Sequence, residues 1–199
     1  MPRPAETAQH AIRTGLKDLA RLCTELPEPQ IAAIARTAEL MTQAIVSGHK
    51  IIWFGNGGSA TQSQHMAAEF VGRFLQERRS LPSISLTENM ASVTAIGNDY
   101  AYDQIFSRQL EGLAQPGDVV IGLSTSGRSA NVLKGLYRAK ELGLTTVGLT
   151  GGSGGEMVVC CDICICVPSS VTARIQELHL AIGHMLCGLV EDACAAAPR

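Results

Sequence analysis

Lys50–Phe74 reads KIIWFGNGGSATQSQHMAAEFVGRF. Four apolar residues, Ile51-Ile52-Trp53-Phe54, have the length and composition of a buried strand. They run straight into Gly55-Asn56-Gly57-Gly58-Ser59-Ala60, and a helical pattern bearing His65 and Glu69 follows at once. Strand, glycine-rich turn and helix in this order point backbone N–H groups at an anion. Four residues apart on a helix, an imidazole and a carboxylate share one face. The segment therefore combines a place for a negatively charged ligand with two groups suited to acid–base or metal chemistry.

Outward from this segment the same alternation continues. Ser83–Leu86, Asp118–Leu123, Thr145–Leu149 and part of Cys160–Val167 read as further strands. Ser59–Leu75, Asn89–Ile96, Tyr102–Leu113, Ser129–Leu142 and Thr172–Cys194 read as helices. Alternation of this kind predicts a five-stranded parallel α/β sheet with helices on both faces. Ligands of such sheets sit beyond the carboxyl ends of the strands, where the strand order reverses. Before the first strand, Ile12, Leu16, Leu19 and Cys23 recur at helical spacing, as do Ile31, Ile34, Ala38, Met41 and Ile45 after Pro27-Glu28-Pro29. This predicts a helical hairpin over residues 1–48, ahead of a core over 49–199, within one domain. The stripes of the hairpin need a partner, either the sheet itself or a second subunit.

The 199 residues carry a formal net charge of −2, with 46% apolar and 4% aromatic residues. The charge gives no reason to expect nucleic acid, and so few aromatics do not make a base-stacking platform. No run reaches the roughly 18 continuous apolar residues of a membrane span, and the first residues, MPRPAETAQHAIRTG, lack the apolar centre of a leader. The expectation is a cytoplasmic protein without a membrane partner. Seven cysteines, four of them between Cys160 and Cys166, do not suit a disulfide framework. Cys161-x-x-Cys164 lacks the second such pair that a zinc ribbon requires.

Three loops follow strand ends. Gly55–Ser59 serves either as a tight turn or as an anion cradle; it is neither a Walker loop nor G-x-G-x-x-G, so no nucleotide cofactor is indicated. Ser124-Thr125-Ser126-Gly127-Arg128-Ser129 places four hydroxyls before a helix. One serine suffices for a cap, and the surplus favours a phosphate cradle at Ser124, Thr125, Ser126 and Ser129. Gly151-Gly152-Ser153-Gly154-Gly155 reads as a flexible turn. The helix with His65 and Glu69 is apolar around most of its circumference, which predicts burial and a carboxylate in need of compensation. On the closing helix, Gln176 and His184 lie about 12 Å apart along the axis, able to meet one ligand only from opposite sides. His179 faces elsewhere and reads as structural or as a subunit contact. The charges of Glu77-Arg78-Arg79 and of Lys134–Glu141 read as solvated faces.

In this order, GNGGSA with QHMAAEFVGRF, VTAIGNDY, STSGRS and TARIQELHLAIGHMLC resemble the sugar isomerase (SIS) domain, and within it the phosphoheptose isomerase family. The resemblance covers nearly the whole chain. It implies a flavodoxin-like three-layer sandwich preceded by an N-terminal helical hairpin, assembled as a homotetramer with active sites near subunit interfaces. It also implies substrate contacts from Asn56, Gly57, Gly58 and Ser59, sugar-hydroxyl contacts from Asn98 and Asp99, and phosphate contacts from Ser124, Thr125, Ser126 and Ser129. His65, Glu69, Gln176 and His184 match the metal-binding set, the metal being zinc. Glu69 and His184 match the catalytic base and acid, and Gln176 also falls in the substrate set. The implied reaction converts sedoheptulose 7-phosphate to D-glycero-D-manno-heptose 7-phosphate for bacterial heptose synthesis. The alternative is a non-enzymatic SIS module that binds the replication initiator; the presence of both Glu69 and His184 favours the enzyme. An isomerase for arabinose 5-phosphate ranks lower.

Overall fold

The computed structural model describes residues 5–195; residues 1–4 and 196–199, the outer ends of the two expected segments, lie outside the described residues. Helices α1 (Ala5–Thr24) and α2 (Glu28–Val46) lead into β1 (Ile51–Gly55), α3 (Gly58–Val71), β2 (Ser83–Ser85) and α4 (Met90–Asp99). A 3-10 turn at Tyr102–Gln104 precedes α5 (Ser107–Leu113), β3 (Val119–Leu123), α6 (Ala130–Glu141) and β4 (Thr145–Gly151). The single turn α7 (Met157–Cys160), β5 (Ile163–Val167) and α8 (Thr172–Ala195) complete the chain.

All five strands are parallel, in the order β2-β1-β3-β4-β5. The chain enters at β1, adds β2 on one side and then crosses to β3 on the other. The order therefore reverses between β1 and β3, as in flavodoxin-like sheets, and the carboxyl ends of these two strands flank the crevice. Both strands are buried along their whole length because each faces helices on two sides. Ile51, Trp53, Val119, Ile121 and Leu123 pack under α2, α3 and α8. Ile52, Phe54 and Val120 face the opposite core, with Phe106, Leu110, Val132 and Leu136. The Trp53 indole N–H donates to the Ser83 hydroxyl at 3.0 Å, so this buried ring leaves no polar group unpaired. Asp118 accepts from the backbone N–H of Lys50 and of Gln115 and from the Lys50 ammonium at 2.6 Å, which registers β3 beside β1.

Where the structure departs from the sequence pattern, local causes are visible. Helix α3 ends at Val71 rather than Leu75, because the Arg78 guanidinium takes the carbonyls of Glu69, Phe70 and Gly72. The expected helix over Tyr102–Leu113 is split before α5, and Phe106 at the break stacks on Phe54 with ring centroids 4.8 Å apart. Of the α1 stripe, Ile12 and Leu16 are each 63% exposed, Cys23 is exposed and Leu19 is half-buried; Leu22, outside the stripe, is the residue that is buried instead. Helix α2 packs along α8 and against β5, and α1 rests on α8. By length and composition α8 is apolar enough to cross a membrane, but half of that window is buried in the fold, as expected of a core helix.

Candidate active site

At the crevice, Gly55 closes β1 and Gly57 (φ +54°) turns the chain into α3. A side chain at Gly58 would come within 2.6 Å of the Gln176 amide, so the glycine lets α8 reach the first turn of α3. Ser59 is buried in that turn. Asn56 extends across to α6 and trades amide hydrogen bonds with Asn131, 2.8 Å in each direction. The Tyr102 hydroxyl donates to the same Asn56 oxygen at 3.2 Å. Gly55, Asn56, Gly57, Thr87, Thr94 and Tyr102 line a cleft of about 490 Å³.

The loop after β3 forms the second wall. The Ser124 hydroxyl lies 2.9 Å from that of Ser129 and 3.4 Å from that of Ser126. Ser129 occupies the N-cap position of α6 without capping it. Its hydroxyl is turned inward, which removes the simpler explanation for a serine there. Thr125 is half-buried in the same loop. Three converging hydroxyls at a helix N-terminus supply donors and a favourable dipole for a phosphate.

The third component lies on the flank formed by α3 and α8. His65 Nε2 is 3.0 Å from His184 Nε2 and 3.3 Å from Glu69 Oε1. Among the described residues, these three are the only group of three or more His, Cys, Asp or Glu side chains whose ligand atoms all fall within 4.8 Å. Two imidazole nitrogens this close either share a proton or face one cation. Donors around a tetrahedral zinc at about 2.0–2.1 Å stand roughly 3.3 Å apart, a spacing that the His65–His184 and His65–Glu69 pairs approach. The His184 ring is further held by Phe74, stacked on it with centroids 5.5 Å apart. The site is more open than the sequence pattern implies. The Glu69 side chain is 23% exposed and that of His65 47%, because α8 covers this face of α3 only in part.

The remaining expected residues fall elsewhere. Gln176 sits against Gly58 and accepts on its backbone carbonyl from Gln62 at 2.6 Å, two turns before His184. Asn98 donates to Asp99 at 2.8 Å at the exposed end of α4, and Asp99 lines a neighbouring cleft with Tyr100 and Arg108. His65, seven residues beyond Gly58, lies roughly 10 Å along α3 from the glycine loop. The chain thus brings His65, Glu69 and His184 together and brings Ser124, Ser126 and Ser129 together, in separate places.

Some structural partners carry no sequence signal. Asn131 is an ordinary second residue of a helix until β1 and β3 are paired. Arg78 lies in a charged run but is only 5% exposed, paired through Nε at 3.0 Å with Glu191, which is 1% exposed. Burial pushes the Glu191 carboxyl up, but the N–H groups of Leu75, Phe74 and Gln76 together with Arg78 outweigh it and hold the group low. Gly151–Gly155 is a packed turn rather than a flexible one: Gly154 is buried, and the Glu156 N–H donates to the Gly127 carbonyl at 3.0 Å, bracing the serine loop. The cysteine sulfurs pair as Cys160 with Cys161 and Cys164 with Cys166, each pair 3.8 Å apart.

Residues 16–151 match the SIS domain model. A phosphoheptose isomerase of Rhodospirillum rubrum is 54% identical over 161 residues, covering 81% of this chain and 86% of that protein. One of Roseiflexus sp. is 49% identical over 174 residues, 87% of each chain. The solved phosphoheptose isomerase of Neisseria gonorrhoeae superposes with a TM-score of 0.87 at 36% identity, covering 93% of this chain and 99% of that one. The chain belongs to the SIS domain family and, within it, to the phosphoheptose isomerases.

Proposed function

We propose that this protein is an aldose–ketose isomerase converting sedoheptulose 7-phosphate to D-glycero-D-manno-heptose 7-phosphate. The observation that carries the reading is the convergence of His65, Glu69 and His184 in a chain of this family. In the forward direction Glu69 removes a proton from C1 of the ketose, giving a cis-enediol, and returns a proton to C2. His184 carries the accompanying proton from the C1 oxygen to the C2 oxygen, so the C1–O bond becomes the aldehyde. Ser124, Thr125, Ser126 and Ser129 hold the phosphate. Asn56, Gly57, Gly58 and Ser59 position the reacting end, and Asn98 and Asp99 bind sugar hydroxyls.

His65, Glu69 and His184 would hold a zinc ion, with Gln176 as the fourth ligand. When bound, the ion polarises the carbonyl and stabilises negative charge on the enediol oxygens. Since Gln176 lies two turns from His184 within a protomer, we assign its contribution, and the joining of serine loop to His/Glu cluster, to a homotetramer. Exposed Ile12, Leu16, Ile31, Met185 and Leu189 on α1, α2 and α8 support such an assembly. The N-terminal helices would then be its oligomerisation element. The setting is the bacterial cytoplasm, with the product feeding the lipopolysaccharide core or another glycan.

The test is an assay with sedoheptulose 7-phosphate with and without added zinc, the product identified by NMR. Glu69→Gln is expected to lower kcat by about 10²–10⁴-fold. Wild-type activity in that variant would remove Glu69 from its role, and full activity after rigorous chelation would remove the metal from its own.

A further inference from the structure

The segment between α3 and β2 is held by a buried charge pair that reaches two residues of the His/Glu cluster. Glu191, near the end of α8, accepts from the backbone N–H groups of Phe74 (2.9 Å), Leu75 (2.6 Å) and Gln76 (2.9 Å). The Nη1 of its partner Arg78 donates to the carbonyls of Phe70 (2.9 Å), Gly72 (3.1 Å) and Arg79 (3.0 Å). The Nη2 donates to the carbonyl of Glu69 itself at 2.8 Å. A guanidinium suits this task because its rigid fork satisfies several orphan carbonyls at a helix C-terminus while its charge complements the helix dipole. At the other end of the same segment, Phe74 lies against the His184 ring, on which His65 also makes an edge contact.

We infer that Arg78 and Glu191 are positioning residues for the active site: Arg78 fixes the backbone from which Glu69 projects, and Glu191 sets Phe74 against His184. Neither touches substrate. They act through Glu69 and His184, whose separation sets both metal geometry and the proton path. A pair serving only to anchor the segment would affect stability alone. This inference rests on the proposed isomerase reading, but its first readout does not depend on turnover.

The experiment compares wild type with Arg78→Lys and Glu191→Gln, with folding checked by circular dichroism. The ring proton resonances of His184 are followed in metal-free protein, assigned through His184→Gln. Lysine offers one compact charge where four carbonyls and a carboxylate are served, so both His184 resonances are expected to move. Affinity for zinc alone is expected to fall about 10–100-fold, the usual effect of losing a group that orients metal ligands. The kcat for sedoheptulose 7-phosphate falls by a similar factor with KM unchanged. Should neither variant fold, Phe74→Leu keeps the charge pair and removes only the stacked ring, with the same expected shift and loss of zinc affinity. Folded variants that keep wild-type His184 resonances and zinc affinity would overturn the inference. Wild-type protein that neither binds zinc nor isomerises the ketose would instead overturn the isomerase reading, and the His184 resonances would still decide the positioning role.

Discussion

Asn56 and Asn131 exchange a pair of 2.8 Å amide hydrogen bonds across the point where the sheet order reverses. Asn131 is buried, and its carbonyl oxygen also accepts from the N–H of Val132 at 2.9 Å. The glycine loop after β1 is thereby tied to the first turn of α6, which carries the serine loop. The two walls of the crevice cannot move apart without breaking a part-buried, mutually satisfied pair.

Removing Asn131 leaves the half-buried Asn56 amide with only the Tyr102 hydroxyl as partner. Asn131→Ala is therefore expected to cost about 1–3 kcal/mol of stability and to raise KM for the sugar phosphate. A double-mutant cycle with Asn56→Ala, read by urea unfolding, should return a coupling of about 0.5–3 kcal/mol. Additive single effects would show that the two amides do not depend on each other.

Ser129→Ala separates phosphate binding from helix capping. The Ser129 hydroxyl faces Ser124 and does not cap α6, so its loss should leave the melting temperature nearly unchanged. A hydrogen bond to a charged group contributes about 1.5–3 kcal/mol, which corresponds to a rise in KM of roughly 10–100-fold with kcat preserved. A variant that melts early while keeping KM would return Ser129 to a capping role.

Gly127→Ala tests the brace beneath the serine loop. Gly127 has φ +64°, and a side chain there would fall 2.0 Å from the Gly154 carbonyl oxygen. Neither the backbone angle nor the contact can be relieved without moving one loop off the other. The expected result is a folded protein, destabilised by about 1–3 kcal/mol, whose KM rises more than its kcat falls. Unchanged KM would mean that the turn at Gly151–Gly155 does not shape the phosphate site.

How much of this was legible in the sequence depends on whether the signal is local. Ile51–Phe54 and Asp118–Leu123 read as strands because burial on both faces demands continuous apolar runs. The spacing of His65 and Glu69 placed both on one face of α3 before any tertiary contact was known. Arg78 could not be read this way. It stands between exposed Glu77 and Arg79, and only the approach of the end of α8 brings Glu191 to it. Asn131 depends likewise on the pairing of β1 with β3. The partial openness of Glu69 has no sequence signal, because periodicity reports which residues are apolar, not how completely a neighbouring element covers them.

His179 provides a pH test that is independent of the active site. It is buried in α8, with Nε2 3.1 Å from the carbonyl oxygen of Thr150 and Nδ1 without a partner among the described residues. Burial pulls its pKa down to about 4, against about 6.5 in the unfolded chain. As pH falls through 6.5 the unfolded chain takes up a proton that the folded protein refuses until near 4. The stabilisation is therefore complete above about pH 6.5 and is lost progressively as pH falls towards about 4. At pH 5 the loss from this group amounts to about 2 kcal/mol. Asp162 is also held low, with Thr146 and Lys140 outweighing the upward push of burial, as is Glu191, so their losses fall at lower pH. Urea unfolding of wild type and His179→Gln at pH 7.5 and pH 5 isolates the histidine, since glutamine keeps a donor for Thr150 and does not titrate. The variant should lose about 2 kcal/mol less than wild type between the two pH values. Equal losses would mean that His179 takes up its proton in the folded protein as readily as in the unfolded chain.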